Sequence, residues 1–142
     1  MKKKILLLTL FLYVLSSAGA FGEAIVDADK GASTELVTIK PTKDGYRLID
    51  TGSLKKLLDA EPDDLVVVDA RNSEEYQEVH IKGAISVPQK KFKQYAHLLP
   101  KEKSVRIIFY CNGVKCGKSK KAAKKALKMG YMQVFVYAEG MP

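Results

Sequence analysis

A cysteine that directly follows a run of β-branched and aromatic residues, and directly precedes glycines and lysines, has the makings of a nucleophile. Residues 105–110 read VRIIFY, and Cys111 then begins the stretch Cys111-Asn112-Gly113-Val114-Lys115-Cys116-Gly117-Lys118. A thiol attacks as the thiolate, so the loop must stabilise an anion. Gly113 and Gly117 permit the positive φ that a tightly curled loop requires. Backbone N–H groups of such a loop, with a helix N-terminus behind them, form an anion cradle. Lys115 and Lys118 add positive charge close by. Cys111 is therefore the candidate nucleophile, and Asn112, Gly113, Val114, Lys115, Cys116, Gly117 and Lys118 are the candidate substrate-binding loop. The plainer role is also open, since free cysteine is often buried and inert. Cys116, five positions on, is a candidate redox partner, because a curled loop can supply the Cα separation of roughly 7 Å or less that a disulfide needs.

Such a loop needs rigid elements on either side. Residues 105–110 read as a strand, and Ser119 reads as the cap of a helix to Met129 with Ala122, Ala123, Ala126 and Leu127 along one stripe. Gly130 fits the position just past that helix. Residues 65–68 (LVVV) form a continuous apolar run of the kind found in a parallel strand buried on both faces. Residues 46–49, 84–87 and 133–137 read as further strands. Thr51 or Ser53 can cap a helix to Ala60, and Asn72 with Glu75 resembles a capping box for a short helix through Val79. A further helix is expected over residues 90–98, stopped before Pro100. Strands alternating with helices imply a parallel α/β sheet covered on both faces. In open parallel sheets ligands bind outside the carboxyl ends of the strands, where Cys111 would lie.

The chain ahead of these elements has a different character. Lys2, Lys3 and Lys4 precede the apolar residues 5–14, and Ala18-Gly19-Ala20 follows. This is the pattern of a secretory signal peptide over residues 1–20, and it predicts a periplasmic or secreted protein. Export would place both cysteines in an oxidising compartment. Residues 21–45 read as a leader or linker, with a candidate edge strand at 35–40 ending at Pro41, and residues 46–142 as one domain. No apolar run reaches the roughly 18 residues of a membrane-spanning helix, so no stable span is expected after cleavage.

Composition narrows the remaining classes. The 142 residues are 46% hydrophobic and 28% charged, an ordinary globular balance. Two cysteines cannot build a disulfide framework or a four-thiolate zinc site. The formal net charge is +8, and it is unevenly spread. Residues 103–138 contain nine basic residues and no acid, whereas residues 59–78 contain eight acids and one arginine. The lysine-rich segment reads as a solvated face that can also steer anionic substrates or an acidic protein partner. An exported protein without an interleaved aromatic and basic surface is not expected to bind nucleic acid.

Two blocks of sequence resemble the rhodanese-like family of single-domain sulfurtransferases. One runs from Val68-Asp-Ala-Arg-Asn-Ser-Glu-Glu-Tyr76 to His80-Ile-Lys-Gly-Ala-Ile-Ser-Val-Pro88, and the other is Phe109-Tyr-Cys-Asn-Gly113. The resemblance covers residues 46–142 and implies a rhodanese-like open parallel β-sheet flanked by helices on both faces. It implies that Cys111 accepts a sulfane sulfur from a small anionic donor such as thiosulfate, forming a persulfide. That sulfur then passes to a thiol or to cyanide, with no metal or organic cofactor. Asp69, Arg71 and His80 take structural roles near the site in this reading. The family's common loop places a basic residue where this chain has Cys116, with Lys118 the next cation. The loop length is nearer that of phosphatase relatives, but these use arginine, which lysine replaces poorly. The family often continues into a Trp-bearing helix after the last turn, and this sequence stops at Pro142, so either that helix is absent or the sequence is truncated. Two other functions stay open: a thiol–disulfide redox protein built on the Cys111–Cys116 pair, and a non-catalytic binding module.

Overall fold

The computed structural model describes residues 39–141. The expected signal peptide and most of the leader lie outside the described residues. Of the candidate edge strand only Ile39 and Lys40 are described, and neither lies in a strand.

Five strands form one sheet: β1 (Arg47–Ile49), β2 (Leu65–Asp69), β3 (Ile85–Ser86), β4 (Arg106–Tyr110) and β5 (Gln133–Tyr137). Their spatial order is β1-β5-β4-β2-β3, and every pairing is parallel. The central strand β4 is buried at all five positions, which is why Ile107, Ile108, Phe109 and Tyr110 follow one another without alternation, while Arg106 at its start is paired with Asp64. Its registers, Asp69 opposite Tyr110 and Tyr110 opposite Tyr137, align the carboxyl ends of β2, β4 and β5.

Both sheet faces are covered. Helix α1 (Thr51–Ala60) lays Leu54 and Leu57 over Ile49, Val67, Ile108, Phe135 and Tyr137. On the other face, α4 (Lys118–Lys128) lays Ala122, Ala123 and Ala126 against Ile107, Phe109, Val134 and Val136. Alanines at these positions let the helix approach the sheet closely. Between them come the short α2 (Ser73–Glu78) and α3 (Phe92–Tyr95). The capping box on α2 is as expected: the Asn72 side chain accepts from Glu75 N–H at 2.7 Å, and Glu75 accepts from Asn72 N–H at 3.0 Å.

Three expectations need correction. The α1 cap is Asp50, not Thr51 or Ser53: its extended backbone lets the carboxylate accept from Ser53 N–H at 2.7 Å. The same helix ends at Glu61 with φ 44°, because Pro62 disfavours a right-handed residue before it. Residues 90–98 do not form one helix. They fold as a 3-10 turn (Gln89–Lys91), α3 and a second 3-10 turn (Ala96–Leu98), tied down by buried Phe92 and Leu99. A helix of this length has little stability of its own, so its anchors decide its shape. Finally, α4 begins at Lys118 with Gly117 at the cap, and Ser119 lies inside the first turn.

Candidate active site

Cys111 follows the last residue of β4 and is 1% exposed. Its Sγ lies 3.2 Å from Ser119 Oγ and donates toward the Cys116 carbonyl oxygen at 3.5 Å. Ser119 is itself buried, so its hydroxyl is held on the sulfur instead of capping α4. Burial pushes the Cys111 thiol up. The Cys116 side chain, the Ser119 hydroxyl and the backbone N–H groups of Ser119 and Gly113 outweigh it, and hold the thiol below its ordinary value. When the thiol ionises, the Ser119 hydroxyl can turn and donate to the thiolate.

The loop around this sulfur is held from two sides. Cys116 N–H donates to Gly113 carbonyl at 2.9 Å, closing a turn. Behind the loop, the turn after β5 presses in: Met141 N–H donates to Cys111 carbonyl at 2.8 Å. Gly140 there has φ 66°, and a Cβ on it would stand 2.1 Å from the Cys111 carbonyl oxygen and 2.5 Å from Gly113 N. Gly113 has φ 134°, as a curled loop requires, whereas Gly117 has φ −94°. The expected positive φ at Gly117 is therefore wrong: it is the right-handed entry to α4, and the curl is made at Gly113.

Lys118 is brought to the site, though not as a free cation. Its Nζ sits 3.2 Å from Glu75 Oε2 and 3.3 Å from Asn112 Oδ1, and Asn112 Nδ2 donates to Glu75 Oε1. Burial pushes the Glu75 carboxyl up, but the Asn72 N–H, the Asn112 amide and Lys118 outweigh it and hold it down at about 2. Sequence reasoning saw Glu75 only as a capping residue and Ser119 only as a cap. Lys115 and Val114 stand exposed at the loop tip, Val114 with 68% of its surface open. Beside the loop is a cavity of about 230 Å³ lined by Arg71, Asn72, Gln89, Lys90, Lys91 and Lys118 among others. A larger open hollow of about 590 Å³, between Leu57, Leu65 and Ile81, shares no residue with the Cys111 loop and has no cysteine in its lining.

Asp69 and Arg71 form a buried bidentate pair, with Arg71 Nη2 at 2.7 Å from Asp69 Oδ2 and reaching the Val79 carbonyl at 2.6 Å. Tyr110 OH donates to Asp69 Oδ2 at 2.7 Å and accepts from Ile81 N–H at 3.2 Å. Burial, first of all, pushes the Tyr110 phenol above its ordinary value. This network ties the strand before the nucleophile to the segment that follows α2. His80 is exposed. It stacks on Tyr76 with ring centroids 4.0 Å apart, and its Nδ1 lies 2.8 Å from the Tyr76 carbonyl. Among the described residues no group of three His, Cys, Asp or Glu side chains is placed to hold a metal ion.

A thiol held below its ordinary value, in a loop between a parallel strand and a helix N-terminus, is the arrangement from which a nucleophilic, anion-binding site on an α/β sheet is built. The chain belongs to the Rhodanese-like domain family, whose sequence profile matches residues 50–142. Thiosulfate sulfurtransferase PspE of Escherichia coli is 35% identical over 68 residues, 47% of this chain and 62% of its own length. A tRNA uridine(34) hydroxylase of Photorhabdus laumondii is 34% identical over 108 residues, 72% of this chain but 29% of its own length. The chain thus spans less than two thirds of either relative. The BH2092 protein of Bacillus halodurans has a similar structure, with a TM-score of 0.61 and 30% identity over 78% of this chain and 76% of that one.

Proposed function

We propose that the chain is a sulfurtransferase that carries a sulfane sulfur on Cys111. The observation that carries this reading is the Cys111 sulfur itself, buried at the end of β4 with its thiol held below the ordinary value by loop and helix donors. The Cys111 thiolate attacks the outer sulfur of a donor such as thiosulfate. The donor S–S bond breaks, and sulfite leaves with the bonding electrons. The Cys111 persulfide then gives its outer sulfur to cyanide or a thiolate, which regenerates the Cys111 thiolate. The N–H groups of Gly113 and Ser119, with Lys118, face the negative charge in both steps.

The relatives named thiosulfate sulfurtransferase support this class of reaction. The basic n-region, the ten-residue apolar run and Ala18-Gly19-Ala20 support action in the periplasm or outside the cell, which Edman sequencing of the exported chain would check at Phe21. A donor that is small and anionic fits the loop, and an acidic protein acceptor fits the lysine face of α4. Cys111→Ser is expected to abolish thiosulfate-dependent thiocyanate formation. Activity near wild type in that variant would remove Cys111 from the reaction.

A further inference from the structure

Cys116 makes and breaks no bond in the transfer described above, yet it lies against the nucleophile. The turn closed by Cys116 N–H on Gly113 carbonyl, at 2.9 Å, folds the loop back over Cys111. As a result the Cys116 carbonyl oxygen is 3.5 Å from Cys111 Sγ. The Cys116 side chain lies within reach of the Cys111 thiol, also meets Asn112 Oδ1 at 3.8 Å, and is partly exposed. Rotation about its Cα–Cβ bond between staggered positions is the motion that can re-aim its sulfur. Both thiols are free.

We propose that Cys116 is a resolving thiol that converts the Cys111 persulfide to hydrosulfide and a Cys111–Cys116 disulfide. This rests on the persulfide reading above. Cys116 gives up its proton and its thiolate attacks Cys111 Sγ, the inner sulfur. A bond forms between the two Sγ atoms while the bond from Cys111 Sγ to the outer sulfur breaks. The outer sulfur leaves with that electron pair and takes up the proton as hydrosulfide. It is thereby reduced to the sulfide level, and the two cysteines supply both electrons. A dithiol reductant then opens the disulfide by exchange, is itself oxidised to a disulfide, and restores both thiols. The inner sulfur is the target because it already lies against Cys116, and hydrosulfide is a weakly basic leaving group, which speeds exchange. The chain would then reduce sulfane sulfur to sulfide at the expense of a dithiol, in addition to passing it on.

The test uses the reduced full chain and Cys116→Ser, each mixed without oxygen or free thiol with thiosulfate and, in parallel, with inorganic polysulfide. Intact mass and released sulfide are followed after excess donor is removed. Cys116→Ser is expected to gain one sulfur atom and keep it. The wild-type chain is expected to lose that sulfur as one equivalent of sulfide, about tenfold or more faster, and to end two hydrogens lighter, with a Cys111–Cys116 peptide on non-reducing mapping. A wild-type chain that holds its added sulfur as long as Cys116→Ser overturns the resolving role and leaves sulfur transfer standing. Added sulfur found on Cys116, with no sulfide, also overturns it, because attack then falls on the outer sulfur. If neither chain gains sulfur or releases sulfide from either donor, the persulfide reading fails and the resolving role fails with it.

Discussion

Glu75 performs two tasks with one carboxylate. It closes the cap of α2 through Asn72, and it holds Lys118 and Asn112 of the loop from across the molecule. The cap was legible, because its partners are three residues apart and local spacing encodes it. The contact to Lys118 was not, because 43 positions separate the pair and only the fold brings them together. Since the folded Glu75 carboxyl sits at about 2, below its unfolded value of 4.5, it stabilises the fold above pH 4.5 and loses that contribution as pH falls toward 2. The difference in Tm between wild type and Glu75→Gln is therefore expected to shrink over that window, and a constant difference would contradict the ion pair. Lys118→Ala leaves the carboxylate facing the loop without its cation. The lost charged contact should cost about 1–3 kcal/mol, or about tenfold or more in kcat/KM with thiosulfate, while urea unfolding changes less. Ser119→Ala removes a donor to the Cys111 thiolate. The pH profile of Cys111 alkylation by iodoacetamide should move to higher pH, and an unmoved profile would show that the Ser119 hydroxyl does not hold the anion.

Elements differ in how plainly their sequences state them. The strands and α4 were legible because burial demands long apolar or regularly spaced runs, as in the RIIFY of β4 and the alanines of α4. Residues 90–98 were not, because Phe92 and Leu99 fit both a helix and a series of turns, and packing chooses between them. Helix starts were displaced by one to three residues where a better acceptor or a glycine stood nearby, as at Asp50 and Gly117. The turn after β5 is the element on which the site most depends. Gly140→Ala would place a methyl group inside van der Waals contact of the Cys111 carbonyl, at a left-handed φ. It should cost at least about 2 kcal/mol and displace the loop. The expected signature is a lowered urea midpoint together with slower Cys111 alkylation, and a variant that matches wild type in both would show that this turn does not brace the loop.

Charge that lies apart along the sequence is partly rejoined by the fold. Helix α4 carries six lysines, of which Lys118, Lys124 and Lys125 are engaged with Glu75, Asp44 and the Gln89 carbonyl. The field of the remaining lysines reaches the loop at the helix N-terminus, and salt screens it over roughly 8–10 Å. Alkylation of Cys111 by the anion iodoacetate should slow as salt rises, while alkylation by neutral iodoacetamide should hold steady. Equal responses would remove steering by α4. At this scale the sequence specified the parallel sheet and its two covered faces, because apolar strands alternated with helices. The strand order stayed hidden, because parallel neighbours are set by crossovers and not by adjacency in the chain. That order has a consequence for how the protein is made. Among the described residues the one neighbour of β1 in the sheet is β5, with Arg47 opposite Phe135, and the carbonyl of Cys111 is held by Met141. A nascent chain that has already displayed Cys111 but still lacks residues 133–141 has no partner for β1 and no brace for its loop. Until then the loop that carries Cys111 lacks the hydrogen bond from the turn after β5, and its finished shape waits on those residues.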